Sequence, residues 1–153
     1  MKISTKQFVT CGISLLAFAH ISSAYADSCS VKSLAGEWAF SEQGATKLAA
    51  NPSVPFSEVG WFQINVSNNS SIGTGNGQAF VSVNGDPLIG RGPDGAITIT
   101  IQNMQVDANC MGFATFSANN LPRTITFTLF SSKKFQYIST SGDITTLGTA
   151  EKR

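Results

Sequence analysis

An all-β fold, an antiparallel up-and-down β-barrel of about eight strands, is what this sequence predicts, and three observations predict it. Apolar residues recur with a period of two and nowhere sustain a helical period. Turn-forming pairs of Gly, Asn and Asp separate these runs at short intervals. Beyond residue 26 the polar residues are mostly Ser, Thr, Asn and Gln rather than charges, which is the composition of a β surface. A meander of so many short strands removes its edges best by closing on itself.

The first 26 residues stand apart. Lys2 and Lys6 give a positive start, Phe8 to Ala19 an apolar core, and Ala24-Tyr25-Ala26 a small-x-small cleavage site. Residues 1–26 therefore read as a cleaved signal peptide, and residues 27–153 as a single secreted or periplasmic domain. The apolar stretch is shorter than the ~20 residues that span a bilayer. Ala26-Asp27-Ser28 before Cys29 puts an acid where a lipoprotein signal wants small or apolar residues. Cleavage would discard His20, the only histidine, together with Cys11.

Within residues 27–153 the strands follow in order. Trp38 and Phe40 alternate with small residues after Gly36. Phe62, Ile64 and Val66 share one face of the next strand, and Trp61, Gln63 and Asn65 the other. Ala79, Val81 and Val83 alternate with Phe80 and Ser82, and Ile97, Ile99 and Ile101 with Thr98 and Thr100. The phase breaks at Gln102-Asn103, where Met104 and Val106 take the opposite parity, so a bulge is expected there. Phe113 and Thr115 follow, then Ile125, Phe127 and Leu129, then Phe135 and Tyr137, and last Leu147 and Thr149. Expected turns are Gly73-Thr74-Gly75-Asn76-Gly77, Asn84-Gly85, Asp94-Gly95, Asn119-Asn120 and Ser141-Gly142-Asp143. One connection, Ser41 to Glu58, reads as long, with Ala45 to Ala50 forming a single helical turn. Its Leu48, Val54 and Phe56 give it apolar material to fold over one barrel end.

Composition narrows the chemistry. Without a histidine no Ser-His-Asp or Cys-His centre can form, and zinc has no ligand set. Eight Lys and Arg face nine Asp and Glu once residues 1–26 are removed, so no basic stripe invites nucleic acid. Glu37 and Glu42 flank the first strand, but their spacing does not aim them into a shared pocket for paired-carboxylate catalysis. Asp86 and Asp94 match no calcium-loop spacing and read as turn residues. No helix pattern follows the glycines of 73–77, so they do not form a phosphate cradle. Cys29 and Cys110 lack the Cys-x-x-Cys setting of a reactive pair and, in an oxidising compartment, read as a structural disulfide.

The segment Cys29-Ser-Val-Lys-Ser-Leu-Ala-Gly36-Glu-Trp38 resembles the opening of calycin-type barrels, the group of lipocalins and avidins, whose first strand begins Gly-x-Trp. The resemblance implies that a basic residue of the last strand stacks on Trp38 and closes one barrel end; Lys152 and Arg153 end that strand, and Arg153 is the residue expected to stack. Nearly all of residues 29–153 is also similar to small secreted bacterial proteins of uncharacterised function. Asn109-Cys110-Met111-Gly112 and Gly148-Thr-Ala150-Glu-Lys152 carry that likeness. It implies a fold and a compartment, and no catalytic residues. Biotin binding is not implied, because avidin sites use several tryptophans and only Trp38 and Trp61 exist here.

The leading expectation is an exported, non-catalytic binding protein that holds a small apolar ligand inside the barrel and uses no cofactor. Phe40, Phe62, Phe80, Phe127 and Tyr137 are the candidates to line that interior, with Leu48, Phe56 and Trp61 at a lid or surface contact. The alternative is an exported interaction protein, an enzyme inhibitor or surface binder, whose barrel is packed solid. An eight-stranded barrel is narrow enough for side chains to fill. Its partner would then be an envelope or extracellular protein. The sequence leaves the oligomeric state open.

Overall fold

The computed structural model describes residues 29–46, 53–88, 95–141 and 144–153. The expected signal peptide and Leu48 lie outside them. A single helical turn, α1 (Val31–Leu34), precedes β1 (Gly36–Thr46), β2 (Val54–Val66), β3 (Gly73–Val83) and the short β4 (Asp86–Leu88). There follow β5 (Ile97–Val106), β6 (Met111–Ala118), β7 (Leu121–Ser131), β8 (Lys134–Ser141) and β9 (Ile144–Lys152). Eight strands pair antiparallel in a ring, β1-β2-β3-β5-β6-β7-β8-β9, which closes where β9 returns to β1. Among the described strands only β4 stands outside the ring, paired with the end of β3.

Local chemistry sets the turns and bends. Asn84-Gly85 and Asn119-Asn120 both hold positive φ at two successive residues, the backbone that a tight two-residue hairpin needs. The expected bulge in β5 is present, as a register shift between Ile101 and Asn103. The glycines of 73–77 depart from expectation: they are the first half of β3 and not a turn. Gly75 lies so close to β2 that a Cβ there would sit 1.9 Å from the carbonyl oxygen of Gln63. Small residues at this place let β2 and β3 press together as the sheet curls. The Ser41–Glu58 connection is also shorter than expected, because β1 runs to Thr46 and β2 starts at Val54. Ala45 and Thr46, read as the start of a helical turn, are strand residues.

The interior holds two apolar clusters. The larger fills the barrel from α1 to its middle and includes Leu34, Trp38, Phe62, Met104, Phe127 and Phe135. A smaller one, Phe56, Val81 and Ile97, occupies the distal end. At the helix end the Trp38 Nε1–H donates to the Leu34 carbonyl at 2.7 Å. Lys152 Nζ lies 5.6 Å from the centre of the Trp38 ring and donates to the Ser33 carbonyl. The stacking role falls to Lys152 and not to Arg153, which pairs instead with Glu37 at 2.9 Å on the surface. Parity explains the difference, since Lys152 is paired directly with Trp38. Cys29 and Cys110 are disulfide-bonded and tie the segment before α1 to the β5–β6 turn.

Candidate functional site

Four of the five residues expected inside the barrel are buried there: Phe40, Phe62, Phe127 and Tyr137. Phe135 joins them at the centre of the stack. Its ring centre lies 4.9 Å from Trp38, 5.0 Å from Phe127, 6.0 Å from Tyr137 and 6.3 Å from Phe62. Phe80 is the exception: it is 54% exposed and points outward. It sits between Ala79 and Val81, both buried, so the period of two puts it on the wall. Phe56 is no lid residue; it is a buried part of β2, packed inside the distal end. Trp61 faces outward between Ala39 and Gln78 and is half-buried.

Between the two apolar clusters lies a polar layer of β1, β2, β7, β8 and β9 side chains. Arg123 Nη2 contacts Glu42 Oε1 at 2.5 Å and Ser139 Oγ at 3.2 Å, while Nη1 contacts Glu58 Oε2 at 2.7 Å. All three charged residues are at most 5% exposed. One guanidinium therefore bridges two carboxyl groups, and the buried Tyr137 lines the same layer. Thr146, beside Ser139 in the sheet, is buried with no partner for its hydroxyl, and Arg123 Nε is likewise unpartnered. The guanidinium is sandwiched by aromatic rings, 5.6 Å from Phe56 and 5.2 Å from Phe116.

Electrostatics follow from that composition. Burial, and then Glu42, push the Glu58 carboxyl up to about 7 against the opposing pull of Arg123. Burial works against the Arg123 charge, but Glu42 and Glu58 outweigh it and raise its pKa. Burial and the same two carboxyls raise the Tyr137 hydroxyl far above its ordinary value. At the helix end, burial and Lys133 lower the Lys152 ammonium.

The strand parities that put Trp38 and Phe40 inside also put Glu42 inside, those of Phe56 and Phe62 place Glu58, and those of Ile125 and Phe127 place Arg123. That signal was legible; the meeting of the three side chains was not. Glu37, the carboxylate considered together with Glu42, faces outward, so the two form no shared pocket. Asp94 lies outside the described residues.

A cavity of about 30 Å³ adjoins the polar layer and is lined by Glu42, Glu58, Phe62, Phe116, Phe135 and Tyr137 among others. That is room for a water molecule rather than for an organic ligand. The barrel is filled by its own side chains.

The outer wall is unusual in its lack of charge. Among the described outward positions of the ring strands, the charges are Glu37, Lys134 and Glu151, all near the helix end and all in ion pairs. Elsewhere the wall is Thr, Ser, Gln and Asn with apolar side chains set among them. Two apolar pairs face each other across strands: Val59 with Phe80, and Ile138 with Leu147, each residue 51–63% exposed.

The chain matches no protein-family model and no curated protein. Its fold is similar to solved β-barrels. One is a redesigned beta barrel, mFAP1, bound to DFHBI, at TM-score 0.53 and 16% identity over 82% of this chain and 100% of that one. A second, EF1p2_mFAP2b bound to DFHBI, gives TM-score 0.54 and 13% identity over 81% of this chain and 97% of that one. A third, the redesigned barrel mFAP0 bound to DFHBI, gives 0.51 and 14% over 78% and 99%. These likenesses show the closed antiparallel barrel.

Proposed function

We propose that this chain is an exported, non-catalytic binding protein that meets an envelope or extracellular protein with the outer wall of a filled barrel. The observation that carries the reading is the pair of half-exposed apolar contacts, Val59 with Phe80 and Ile138 with Leu147, on a wall with few charges. Single exposed apolar residues are ordinary, but apolar pairs side by side, one with the aromatic Phe80, resemble the centres of protein contacts. Immobilised wild-type protein and a Val59→Ser/Phe80→Ser variant would be compared against an extract of the envelope and medium of its own cells. The expected result is loss of a specific captured protein by a variant whose circular dichroism is unchanged. Capture by both this variant and Ile138→Ser/Leu147→Ser that matches the wild type would sink the proposal.

A second reading keeps a small apolar ligand inside the barrel. It is supported by the aromatic lining of the cavity and by similar barrels bound to DFHBI. Against it stands the cavity of about 30 Å³, where ligand sites usually need ~300 Å³ or more. Native mass spectrometry of freshly purified protein separates the two readings. A bound small molecule would favour the interior; the bare protein mass favours the wall.

A further inference from the structure

Two carboxyl groups and one guanidinium share a sealed layer, and that set is neutral only while the carboxyl pair holds one proton. We propose that the Glu42–Glu58–Arg123 layer is a proton-operated lock on the distal half of the barrel. With the proton in place the layer is neutral and closed. With the proton lost, an unbalanced negative charge must be hydrated or repacked, and the distal half loosens.

The geometry supplies each part. Glu42 and Glu58 both receive bonds from the one Arg123 guanidinium in a buried layer, so a single cation faces two carboxyl groups and one proton makes the set neutral. Nothing else described around the layer can take up the charge. β3, β5 and β6 present Val81, Ile97, Ile99 and Phe116, none of which titrates. β8 presents Ser139 and Tyr137, and the hydroxyl of Tyr137 is held protonated by burial and by the two carboxyls. β9 presents Thr146. Burial first, then Glu42, set the Glu58 proton to leave at about pH 7.

The consequence is directional. Arg123 packs against Phe56, which belongs to the distal cluster, so displacement of the guanidinium disturbs that cluster first. The unpartnered Thr146 hydroxyl and Arg123 Nε offer bonds to incoming water. The helix end is secured separately, by the disulfide and by the Trp38 and Lys152 contacts.

Infrared spectroscopy of the wild-type protein tests the proton directly. A carboxylic acid C=O band should be present at pH 6, when exposed carboxyls are ionised, and should disappear with a midpoint near pH 7. Its absence at pH 6 would overturn the proposal. Amide hydrogen exchange, corrected for intrinsic rates, tests the lock. Between pH 6 and 8.5, amides near Phe56, Val81 and Ile97 should lose roughly tenfold or more in protection, as local openings do. Amides near Trp38 and Met104 should lose less, no more than the fall in global stability. An equal loss at both ends, or none, would overturn it. Glu58→Gln, which keeps the shape without the titration, should abolish both the band and the exchange difference. The wild-type measurements decide the matter even if that variant fails to fold.

Discussion

Arg123 shows how one side chain can decide the state of a core. Removing it leaves two carboxyl groups facing each other without their cation. Arg123→Met should therefore cost about 3–5 kcal/mol in urea unfolding at pH 7. Replacing the whole set, as Arg123→Met with Glu42→Leu and Glu58→Leu, should recover most of that loss, because a desolvation cost disappears with the charges. A triple variant no more stable than the single one would show that the layer stabilises the fold outright. The pH dependence has a definite sign. Glu58 holds its proton up to about pH 7 when folded but only to about 4.5 when unfolded, so the native state binds more protons between these values. Stability should fall as pH rises from 4.5 to 7, by on the order of 3 kcal/mol, and Glu58→Gln should flatten that slope in pH-dependent melting. Each of the three residues could be assigned to the inner face by parity alone. Their meeting depends on ring closure, which brings β1, β2 and β7 together across 65 and 81 residues of sequence, and no local pattern encodes that distance.

At the scale of the element, aromatic rings lie over glycines of the neighbouring strand. Tyr137 is paired with Gly148, and a Cβ on that glycine would meet the Tyr137 ring at 2.3 Å. Phe127 covers Gly112 in the same way. Gly148→Ala should push the Tyr137 ring from its place and cost about 1–3 kcal/mol, read from denaturant midpoints. A neutral result would mean that the ring shifts without loss. These pairings also explain one misreading. The glycines of 73–77 suggest a turn because glycine is commonest there, yet they lie within a strand that presses against β2. Alternation was the better guide: Gly73, Gly77 and Ala79 share the buried face of β3. The tether of α1 was more legible, since two cysteines with no Cys-x-x-Cys spacing and no histidine beside them in the described residues have few other uses. Closing a loop of 81 residues, the disulfide should contribute roughly 2–5 kcal/mol. Cys29→Ser/Cys110→Ser should lower the melting temperature and expose the amides of α1 to exchange before those of the ring strands.

For the whole molecule, ring closure and side-chain volume decide whether there is a container at all. The period of two made the barrel legible, but it could not say whether inward aromatics line a space or fill it. That depends on how eight strands set the radius and on which rings meet across it. Phe135 settles the balance, because it is fully buried and its ring lies close to those of Trp38, Phe62, Phe127 and Tyr137. Phe135→Ala removes the central ring of that stack and should cost about 3–5 kcal/mol, the usual penalty for emptying an aromatic site. If the surrounding strands hold their positions, the variant enlarges the wild type's cavity of about 30 Å³ into an apolar void. Apolar voids of ~150 Å³ stay dry and accept benzene. Benzene should then raise the melting temperature of Phe135→Ala in proportion to its concentration and leave the wild type unchanged. A wild type that responds equally would mean that its interior already admits small apolar molecules, and the interior ligand reading would regain the lead. A variant that loses stability without responding would mean that the ring collapses onto the vacancy, so that the barrel keeps its fold only while it is full.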